Sequence, residues 1–574
     1  MPQVSVIESL DPENQSMSHL LTLHDPATAR EHYLSGIWQI DTLYSLARRH
    51  ATERGSAYAV RDSVRRLTWS ALVAWVDLVA ADLHEAGLRR GDRISIWLPN
   101  RLESAVVLLA CSRNGYVCNP SLHQNYTVDE VVALLSRIEC RALFAQPDWG
   151  ADALTADIFA RAAKLDSMKR VYALPGLRTP DRQMPPGTHA VPMPGQQPRI
   201  PAPPASTHSD QIVYLAFTSG TTGTPKGVMH SDNTLLANGR SMVADWEQNY
   251  ATVLLTLSPM SHHIGTVALE QVLVAGCELV MHDPSAGIAA LDWIETTGAT
   301  YVMGVPTHAI DLLHEVDKRG LTRLGAVKVF YMAGAPIPTE TARRLLSLGA
   351  KPQNVYGMTE NGSHQYTKPL DSVEVITSTC GKACLGYEVR LWDPENPDLE
   401  AGADEVGEIG GRGGVLMLGY FNNQTATESS FNRRGWFLSG DLGRFDEAGN
   451  LQIVGRKKEV IIRGGHNIHP AHIEEYVHRH PSVKKAAAFG MADERLGEKV
   501  CLAIICHDNP AAGDEILQHL AREGLSKFDM PEYFVVVTEF PMTASGKILK
   551  RELVQWVHSG RLQPQSIRYK APAS

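Results

Sequence analysis

The first part of the chain alternates between helical and strand-like patterns of apolar residues. From Leu72 to Leu83 apolar side chains recur every three or four positions, which predicts a helix that ends near Gly87. The apolar run RISIWL at 93–98 then predicts a buried strand, and residues 101–114 predict another helix. This alternation is typical of βαβ units, in which helices cover both faces of a parallel sheet.

From Gln211 onward the same alternation continues with greater regularity. Short runs of apolar, β-branched or aromatic residues predict buried strands: IVYLAF, VLLTL, CELVMH, YVMGV, VKVFYMAG and QNVYG. Helical stretches such as Thr339 to Leu348 separate most of them. In such sheets ligands bind just beyond the carboxyl ends of the strands, where several polar and glycine-bearing clusters of this chain fall. The sequence therefore predicts an α/β fold with one shared site.

Two changes of composition suggest how the chain is divided. Residues 175–204 carry ten of the 33 prolines, which excludes helix and central strand and predicts an extended surface connection. Residues 456–574 hold 17 Lys and Arg against 14 Asp and Glu, whereas the whole chain has a net charge of −9. We expect a large N-terminal domain over 1–455, with parallel-rich sheets flanked by helices, and a small α+β C-terminal domain over 456–574.

Composition and charge exclude several classes of protein. A chain with 44% hydrophobic and 20% charged residues is globular rather than disordered. A mildly negative net charge argues against a nucleic-acid partner, and the apolar runs are too short to span a membrane. The N-terminus lacks the basic start and apolar stretch of a signal peptide. Eight scattered cysteines without a CxxC pair predict reduced thiols and a cytoplasmic protein.

The segment TSGTTGTPKG at 218–227 follows the predicted strand IVYLAF directly. Glycines allow a tight turn close to an anion, and hydroxyl and backbone N–H groups donate to phosphate oxygens. Lys226 adds a positive charge. The segment is not a Walker sequence, because Pro225 stands where the second glycine is required. The pattern predicts a phosphate-binding loop of another kind.

This loop resembles the signature loop of the adenylate-forming superfamily, which includes acyl-CoA synthetases, adenylation domains of peptide synthetases and beetle luciferases. Further blocks similar to those of the family follow in the family's order: YGMTE at 356–360, GWFLSGD at 435–441, GRKKE at 455–459 and PMTASGKI at 541–548. The segments CSRNG at 111–115 and GVMHSDNT at 227–234 are similar to the cyclohexanecarboxylate and medium-chain acid–CoA ligase branch.

The resemblance implies a nucleotide site. Its ATP- and AMP-binding residues would be Thr218, Ser219, Gly220, Thr221, Thr222, Gly223, Thr224, Pro225, Lys226, Gly334, Ala335, Pro336, Tyr356, Gly357, Met358, Thr359, Asp441, Arg456 and Lys547. In the family's pattern Tyr356 stacks on adenine and Thr359 bonds the α-phosphate. Asp441 would accept both ribose hydroxyls, since a carboxylate has two oxygens, and Arg456 would meet the ribose from the other side.

The resemblance also implies the catalytic groups. Lys547, His262, Thr359 and Glu360 would act in catalysis, and Glu360 and Thr218 would hold Mg²⁺, a hard ion that prefers oxygen ligands. A lysine that bridges the attacking carboxylate and the phosphate stabilises the transition state by about 3 kcal/mol or more. A packed, hydrogen-bonded histidine is the alternative interpretation of His262.

The walls of the acid pocket follow from the same resemblance. They would be Asn238, His262, Met303, Gly304, Ala333, Gly334, Gly357 and Met358. These residues are mostly small or apolar, which predicts an acid with an uncharged body: cyclic, aromatic, or a short to medium acyl chain. Ser261 departs from the family, because many relatives carry an aromatic residue there, and it predicts a more open or more polar pocket floor.

The family carries out two half-reactions. A carboxylate and MgATP give an acyl-adenylate and diphosphate, and a thiol then takes the acyl group and releases AMP. In the family the small domain rotates between the steps about one hinge residue, here Lys458, and the turn Arg463, Gly464 and Gly465 would line the CoA arm.

We therefore expect an AMP-forming acid–thiol ligase that uses a small carboxylic acid, ATP, Mg²⁺ and CoA, with no nucleic-acid partner and no membrane span. The sequence leaves open whether the enzyme forms a homodimer. The alternatives are an enzyme that loads a carrier protein, an oxidative second step like that of luciferase, and a non-catalytic adenylate-binding protein.

Overall fold

The computed structural model describes residues 21–179, 183–218, 225–507, 511–542 and 547–569. These residues form two compact units. Unit 1 comprises the chain up to Thr377 together with Ala383–Tyr387 and Gly413–Glu428, and unit 2 comprises Ser378–Lys382, Glu388–Arg412 and the chain from Ser429 onward.

Within the described residues the α-helices are, in chain order, α1 (Pro26–Leu34), α2 (Leu43–Arg54), α3 (Trp69–Glu85), α4 (Leu102–Asn114), α5 (Val128–Arg137), α6 (Ile158–Ala162), α7 (Asp232–Asp245), α8 (His263–Ala275), α9 (Ala290–Thr297), α10 (Pro306–Lys318), α11 (Thr339–Ser347), α12 (Val373–Ser378), α13 (Gln424–Glu428), α14 (Pro470–Val477), α15 (Gly513–Arg522) and α16 (Lys550–His558). The predicted helices at 72–83, 101–114 and 339–348 correspond to α3, α4 and α11.

The strands are β1 (Tyr58–Arg61), β2 (Arg66–Thr68), β3 (Arg93–Trp97), β4 (Val117–Asn119), β5 (Ala142–Ala145), β6 (Arg170–Ala173), β7 (Ile212–Thr218), β8 (Lys226–Ser231), β9 (Val253–Thr256), β10 (Glu278–Met281), β11 (Tyr301–Gly304), β12 (Val329–Ala333), β13 (Lys351–Met358), β14 (Gly362–Tyr366), β15 (Lys382–Ala383), β16 (Tyr387–Trp392), β17 (Gly407–Gly413), β18 (Phe437–Phe445), β19 (Leu451–Arg456), β20 (Ile461–Arg463), β21 (His466–Ile468), β22 (Val483–Asp493), β23 (Gly497–Cys506), β24 (Tyr533–Val536) and β25 (Gln565–Ser566).

Two parallel-rich sheets organise unit 1. The larger has the order β15-β14-β13-β12-β11-β9-β10-β1-β2, and its strands from β13 to β1 run parallel. The smaller has the order β6-β5-β3-β4-β7-β8, parallel except for the terminal hairpin of β7 and β8. The predicted fold class, with helices packed on parallel sheets, is confirmed for this part of the chain.

The two faces of the larger sheet differ in character. Val302, Phe330 and Met332 point into a hydrophobic core shared with α9, α10 and α11. Because strand side chains alternate between faces, Met303 and Ala333 point to the opposite face. The amide of Gln271 in α8 lies 3.2 Å from the Met303 sulfur, so α8 packs on that second face.

Unit 2 contains the α+β structure that was predicted toward the C-terminus, together with a four-stranded sheet before it that the sequence patterns did not predict. Strands β16 to β19 form a four-stranded sheet, and the strands from β20 to β25 form a second sheet. The second sheet buries both faces: Ala488, Val500 and Leu502 pack beneath α14 and α15, and Ala487 and Phe489 pack in a separate cluster with α16. The proposed boundary after Gly455 stays a prediction.

Helices long and apolar enough to span a bilayer are absent from the described part of the chain. All eight cysteines are free thiols, and six of them are buried.

Candidate active site

Four predicted site clusters lie along one edge of the larger sheet. Strands β13, β12, β11 and β9 are successive parallel neighbours, so their carboxyl ends meet at the same edge. The segments that follow these strands are 356–360, 333–336, 303–304 and 258–262, in the same order. The structure therefore brings the predicted adenine, phosphate and acid-pocket segments of unit 1 to one edge, as parallel-sheet topology requires.

The YGMTE segment makes a tight turn between β13 and β14. The Met358 N–H donates to Asn361 Oδ1 over 3.0 Å, which closes the turn. A Cβ at Gly357 would lie 1.8 Å from the carbonyl oxygen of Gly362, so only glycine fits there. The Tyr356 ring is part-buried and meets His364 edge to face at 5.4 Å. Local packing thus fixes the segment that carries the predicted adenine-stacking residue.

The phosphate-binding loop is predicted at the tip of the hairpin of β7 and β8. Thr218 and Lys226 are opposite partners at the loop end of that hairpin. The predicted residues between them, Ser219, Gly220, Thr221, Thr222, Gly223 and Thr224, lie outside the described residues. Pro225 and Lys226 are part-buried at the start of β8.

Tyr420 links this hairpin to the predicted magnesium ligand, and sequence reasoning missed it. Its hydroxyl donates to Glu360 Oε1 over 2.9 Å. Its ring lies 4.6 Å from the Lys226 ammonium nitrogen. The backbone around Tyr420 adds to the edge of β8, where the Phe421 N–H donates to the Gly227 carbonyl over 2.7 Å. The available signal was weak: an aromatic residue after a glycine in the run VLMLGYF.

His230 is a second residue that sequence reasoning missed. It is buried in β8, and its Nε2 lies 2.7 Å from the carbonyl oxygen of Thr359. The other ring nitrogen lies 3.0 Å from the Thr234 hydroxyl. Burial lowers the pKa of His230 to about 4, so the ring is neutral near pH 7. A neutral imidazole with N–H on Nε2 donates to Thr359 and orients the predicted α-phosphate residue.

His262 stands at the start of α8, directly beyond the edge of the sheet. It is the N-cap residue, and its Nδ1 accepts a hydrogen bond from the Ile264 N–H over 3.3 Å. The His123 ring lies 6.4 Å away, and burial lowers the pKa of His123 to about 4. Ser261, the departure from the family pattern, lies 3.2 Å from His123 Nδ1. The capping contact is compatible with the structural interpretation of His262, and its catalytic role stays a prediction.

The other predicted pocket residues of unit 1 divide into walls and supports. Met303, Gly304 and Ala333 are buried at the ends of their strands, and Gly334 has a φ of 90° and starts the exposed segment 334–336. Asn238 in α7 holds β14 in place: its Oδ1 accepts from the Ser363 N–H over 2.9 Å and its Nδ2 donates to the Ser363 carbonyl over 3.0 Å.

In unit 2 the two predicted ribose residues face each other. Asp441 in β18 and Arg456 in β19 are opposite partners of an antiparallel pair. Arg456 Nε lies 3.0 Å from Asp441 Oδ1, and the side chain of Asp441 is only 8% exposed. The arginine therefore neutralises a buried carboxylate and leaves its own guanidinium edge at the surface.

The predicted hinge and CoA residues also belong to unit 2. Lys458 is exposed and lies in the short 3₁₀ turn Lys457–Glu459, which follows Arg456. Gly464 and Gly465 have φ values of 59° and 86° and form the tight, exposed turn between β20 and β21. Arg463 donates to Glu532 over 2.8 Å.

Lys547 is exposed, three residues before α16 begins at Lys550. Residues 543–546 of its block lie outside the described residues. The assignment of Lys547 to catalysis stays a prediction.

Two family profiles and many known proteins match this chain. The AMP-binding enzyme profile matches residues 47–421, and the AMP-binding enzyme C-terminal domain profile matches residues 472–547. The chain is 30% identical over 492 residues to a medium-chain fatty-acid–CoA ligase of Escherichia coli (strain K12), which covers 84% of each chain. It is 30% identical over 528 residues to the mitochondrial medium-chain acyl-CoA ligase ACSF2 of Homo sapiens, over 87% of this chain and 84% of the relative.

Solved structures share the fold. The ATP-bound crystal structure of MatB from Rhodopseudomonas palustris matches with a TM-score of 0.75 and 27% identity, over 90% of this chain and 99% of MatB. The predicted fold class and the resemblance seen in the sequence are both confirmed. The chain belongs to the family of AMP-binding enzymes.

Proposed function

We propose that this enzyme is an ATP-dependent carboxylic acid–CoA ligase that works through an acyl-adenylate. The observation that carries the proposal is the alignment of four candidate segments at the carboxyl edge of β13, β12, β11 and β9. A nucleotide and an acid bound along one edge can react with each other without leaving it. The two half-reactions then take place in the family's order, with adenylation first and transfer to the thiol second.

In the first half-reaction the residues of unit 1 hold the reacting groups. Tyr356 stacks on adenine, and Thr359, oriented by His230, donates to the α-phosphate. Lys226 and the hydroxyls of its loop offset the charge of the phosphates. His262 contacts the carboxylate of the acid. Tyr356, Thr359 and His262 are held by packing or hydrogen bonds before the substrates arrive, which is the condition for electrostatic stabilisation of the transition state.

The residues present fit a magnesium ion. Glu360 is 8% exposed and offers carboxylate oxygens, and its Oε1 is already oriented by Tyr420. Glu360 and the Thr218 hydroxyl would hold the ion, since Mg²⁺ prefers one or two protein oxygens together with substrate phosphates. When bound, the ion would neutralise negative charge on the phosphates.

Unit 2 supplies the remaining groups in this proposal. Asp441 accepts the ribose hydroxyls, Arg456 supports it, and Lys547 bridges the carboxylate and the α-phosphate during adenylation. Rotation about Lys458 then removes Lys547 and presents Gly464 and Gly465 to the pantetheine arm of CoA. The exposed position of Lys458 supports this role, because hinge residues are positions that can absorb large changes of their backbone angles.

The acid is proposed to be an uncharged-bodied carboxylic acid of short to medium length, or a cyclic or aromatic one. Met303, Gly304 and Ala333 supply a small, apolar wall. The two sequence relatives described above are named medium-chain ligases, which favours the acyl-chain class.

A panel of carboxylic acids tests the proposal through diphosphate release, measured with and without CoA. We expect release that depends on the acid in the absence of CoA, and acyl-CoA formation when CoA is added. A phosphopantetheinylated carrier protein in place of CoA separates the carrier-loading alternative. If none of the acids in the panel supports diphosphate release, adenylation of an acid is contradicted.

A further inference from the structure

Glu270 is a buried carboxyl group that the proposed reaction does not use. It lies in α8, two turns after His262, and is 1% exposed. Neither of its carboxylate oxygens has a hydrogen-bond partner among the described residues. A buried, unpaired carboxyl group costs several kilocalories per mole, so it is kept only where something compensates for it.

A second unpaired polar atom lies on the sheet that faces α8. Gln353 in β13 is fully buried, and its Nε2 has no hydrogen-bond partner in the described part of the chain. Gln353 is the opposite partner of Tyr331 in β12. Glu270 approaches the same tyrosine: burial is the main cause that raises the pKa of Tyr331, and the charge of ionised Glu270 raises it further. An unpaired acceptor and an unpaired donor therefore lie around one tyrosine.

This region lies on elements that also carry predicted residues of the acid pocket. Tyr331 points to the same face of its strand as Ala333, because strand side chains alternate. A Cβ at Gly239 would lie 3.0 Å from the Glu270 Cβ, so α7, which carries Asn238, crosses α8 at this point. The walls of the acid pocket and the surroundings of Glu270 thus belong to the same two helices and the same sheet face.

We propose that the acid pocket extends along α8 to Glu270, and that Glu270 and Gln353 bind a hydroxyl group at the distal end of the acid. The inference rests on the proposed function and names its substrate class: medium-chain acids with a terminal hydroxyl. Eight residues separate His262 from Glu270, which corresponds to about 12 Å along a helix. That length suits a medium acyl chain with its carboxylate at His262.

A hydroxyl fits this pair better than a charged group. It donates to one Glu270 oxygen and accepts from Gln353 Nε2, so a single group pairs with one acceptor and one donor that have no other partner among the described residues. Burial raises the pKa of Glu270 well above its ordinary value, and a second carboxylate would likewise have to lose its water shell to reach this buried site. An ammonium group would satisfy Glu270 but has no acceptor for the Gln353 N–H, and it would have to lose its water shell.

Matched acids test the inference. The kcat/KM for acid-dependent diphosphate release is measured for unsubstituted, ω-hydroxy and ω-amino acids over a series of equal chain lengths from hexanoate to dodecanoate. At the best length we expect the ω-hydroxy acid to exceed the unsubstituted acid by about tenfold or more, the effect of one buried hydrogen bond. Glu270→Leu should reverse this preference, and Glu270→Gln, which keeps the hydrogen-bonding shape, should retain part of it. Thermal unfolding of each variant reports whether it folds.

The outcomes separate the two proposals. If the wild-type enzyme prefers unsubstituted acids at every length, the hydroxyl subsite is wrong although the ligase function stands; this result needs no variant. A preference for the ω-amino acid, or a folded Glu270→Leu variant with an unchanged selectivity ratio, also overturns the subsite. If no acid supports diphosphate release, the proposed function itself fails.

Discussion

The hydroxyl group of Tyr420 donates to Glu360 Oε1 over 2.9 Å, while the same ring lies 4.6 Å from the Lys226 ammonium. One aromatic side chain thus contacts both the lysine of the phosphate-binding segment and the proposed magnesium ligand. Ligands of a metal are held in orientation by such outer contacts. Tyr420 is therefore a positioning residue for Glu360.

Tyr420→Phe removes the hydrogen bond to Glu360 and keeps the ring beneath Lys226. We expect the Mg²⁺ concentration for half-maximal diphosphate release to rise by about tenfold to a hundredfold, as for other outer contacts of a metal site. Glu360→Gln should cost more, since it removes the charged ligand itself. Magnesium titrations of both variants check this, and an unchanged midpoint for Tyr420→Phe would contradict the positioning role.

Lys547→Ala separates the two half-reactions. Acid-dependent diphosphate release should fall by about a hundredfold or more, because the variant lacks a donor that acts in the transition state. Thioester formation from supplied acyl-adenylate should be nearly unchanged. Lys527→Ala, at another exposed lysine of unit 2, is the matched control and should affect neither step. Equal losses in both steps for Lys547→Ala would refute its assignment to adenylation.

Lys458→Pro tests the hinge. Proline fixes φ near −65°, so the variant restricts the backbone where rotation is proposed. We expect CoA transfer to slow more than adenylation, measured as separate single-turnover rates. Lys458→Ala keeps the backbone free and should leave the ratio of the two rates close to that of the wild type. A Lys458→Pro enzyme with normal CoA transfer would argue against a hinge at this residue.

The stability of the fold should depend on pH through His230. Its pKa is about 4 in the folded protein and near 6.5 when unfolded, so below pH 6.5 the unfolded state binds a proton that the folded state does not. The free energy of unfolding is therefore unaffected by His230 titration above pH 6.5. It decreases as the pH falls from 6.5 toward 4, by at most about 1.4 kcal/mol per pH unit.

His230→Gln tests this dependence by urea unfolding. The variant should be less stable than the wild type at pH 7.5, because the contacts to Thr359 and Thr234 change, and the difference should narrow as the pH falls from 6.5 to 5. His208→Gln, at an exposed histidine, should show no such change. A difference independent of pH would mean that His230 titrates normally in the folded protein.

The course of the strands could be predicted from the sequence, and with it the edge where the candidate segments lie. The apolar runs that predicted strands after Gln211 became β7, β9, β10, β11, β12 and β13. Once the strands are parallel, topology alone brings the ends of β13 and β12 together, so residues such as Tyr356 and Gly334 could be assigned to one edge.

The contacts between side chains could not be predicted in the same way. Tyr420 meets Glu360 across sixty residues of sequence, because the backbone around it joins the edge of β8. The pairing of Asp441 with Arg456 depends on the register of β18 and β19, and that register shifts between Leu442 and Gly443 in a way that the sequence does not indicate. The unpaired state of Glu270 could not be predicted for a different reason. The sequence shows a glutamate within an apolar helix but does not indicate whether its carboxyl group has a hydrogen-bond partner.

The proposed ligase reaction depends on direct attack of the acid's carboxylate on the α-phosphate of ATP. The most direct measurement uses an acid whose carboxylate carries heavy oxygen, followed by mass spectrometry of the AMP and diphosphate formed in a complete reaction with CoA. We predict that one labelled oxygen appears in AMP and none in diphosphate, since the carboxylate attacks the α-phosphate and the thiol later leaves that oxygen on AMP. Label in the diphosphate, or AMP formed without label, would contradict the acyl-adenylate.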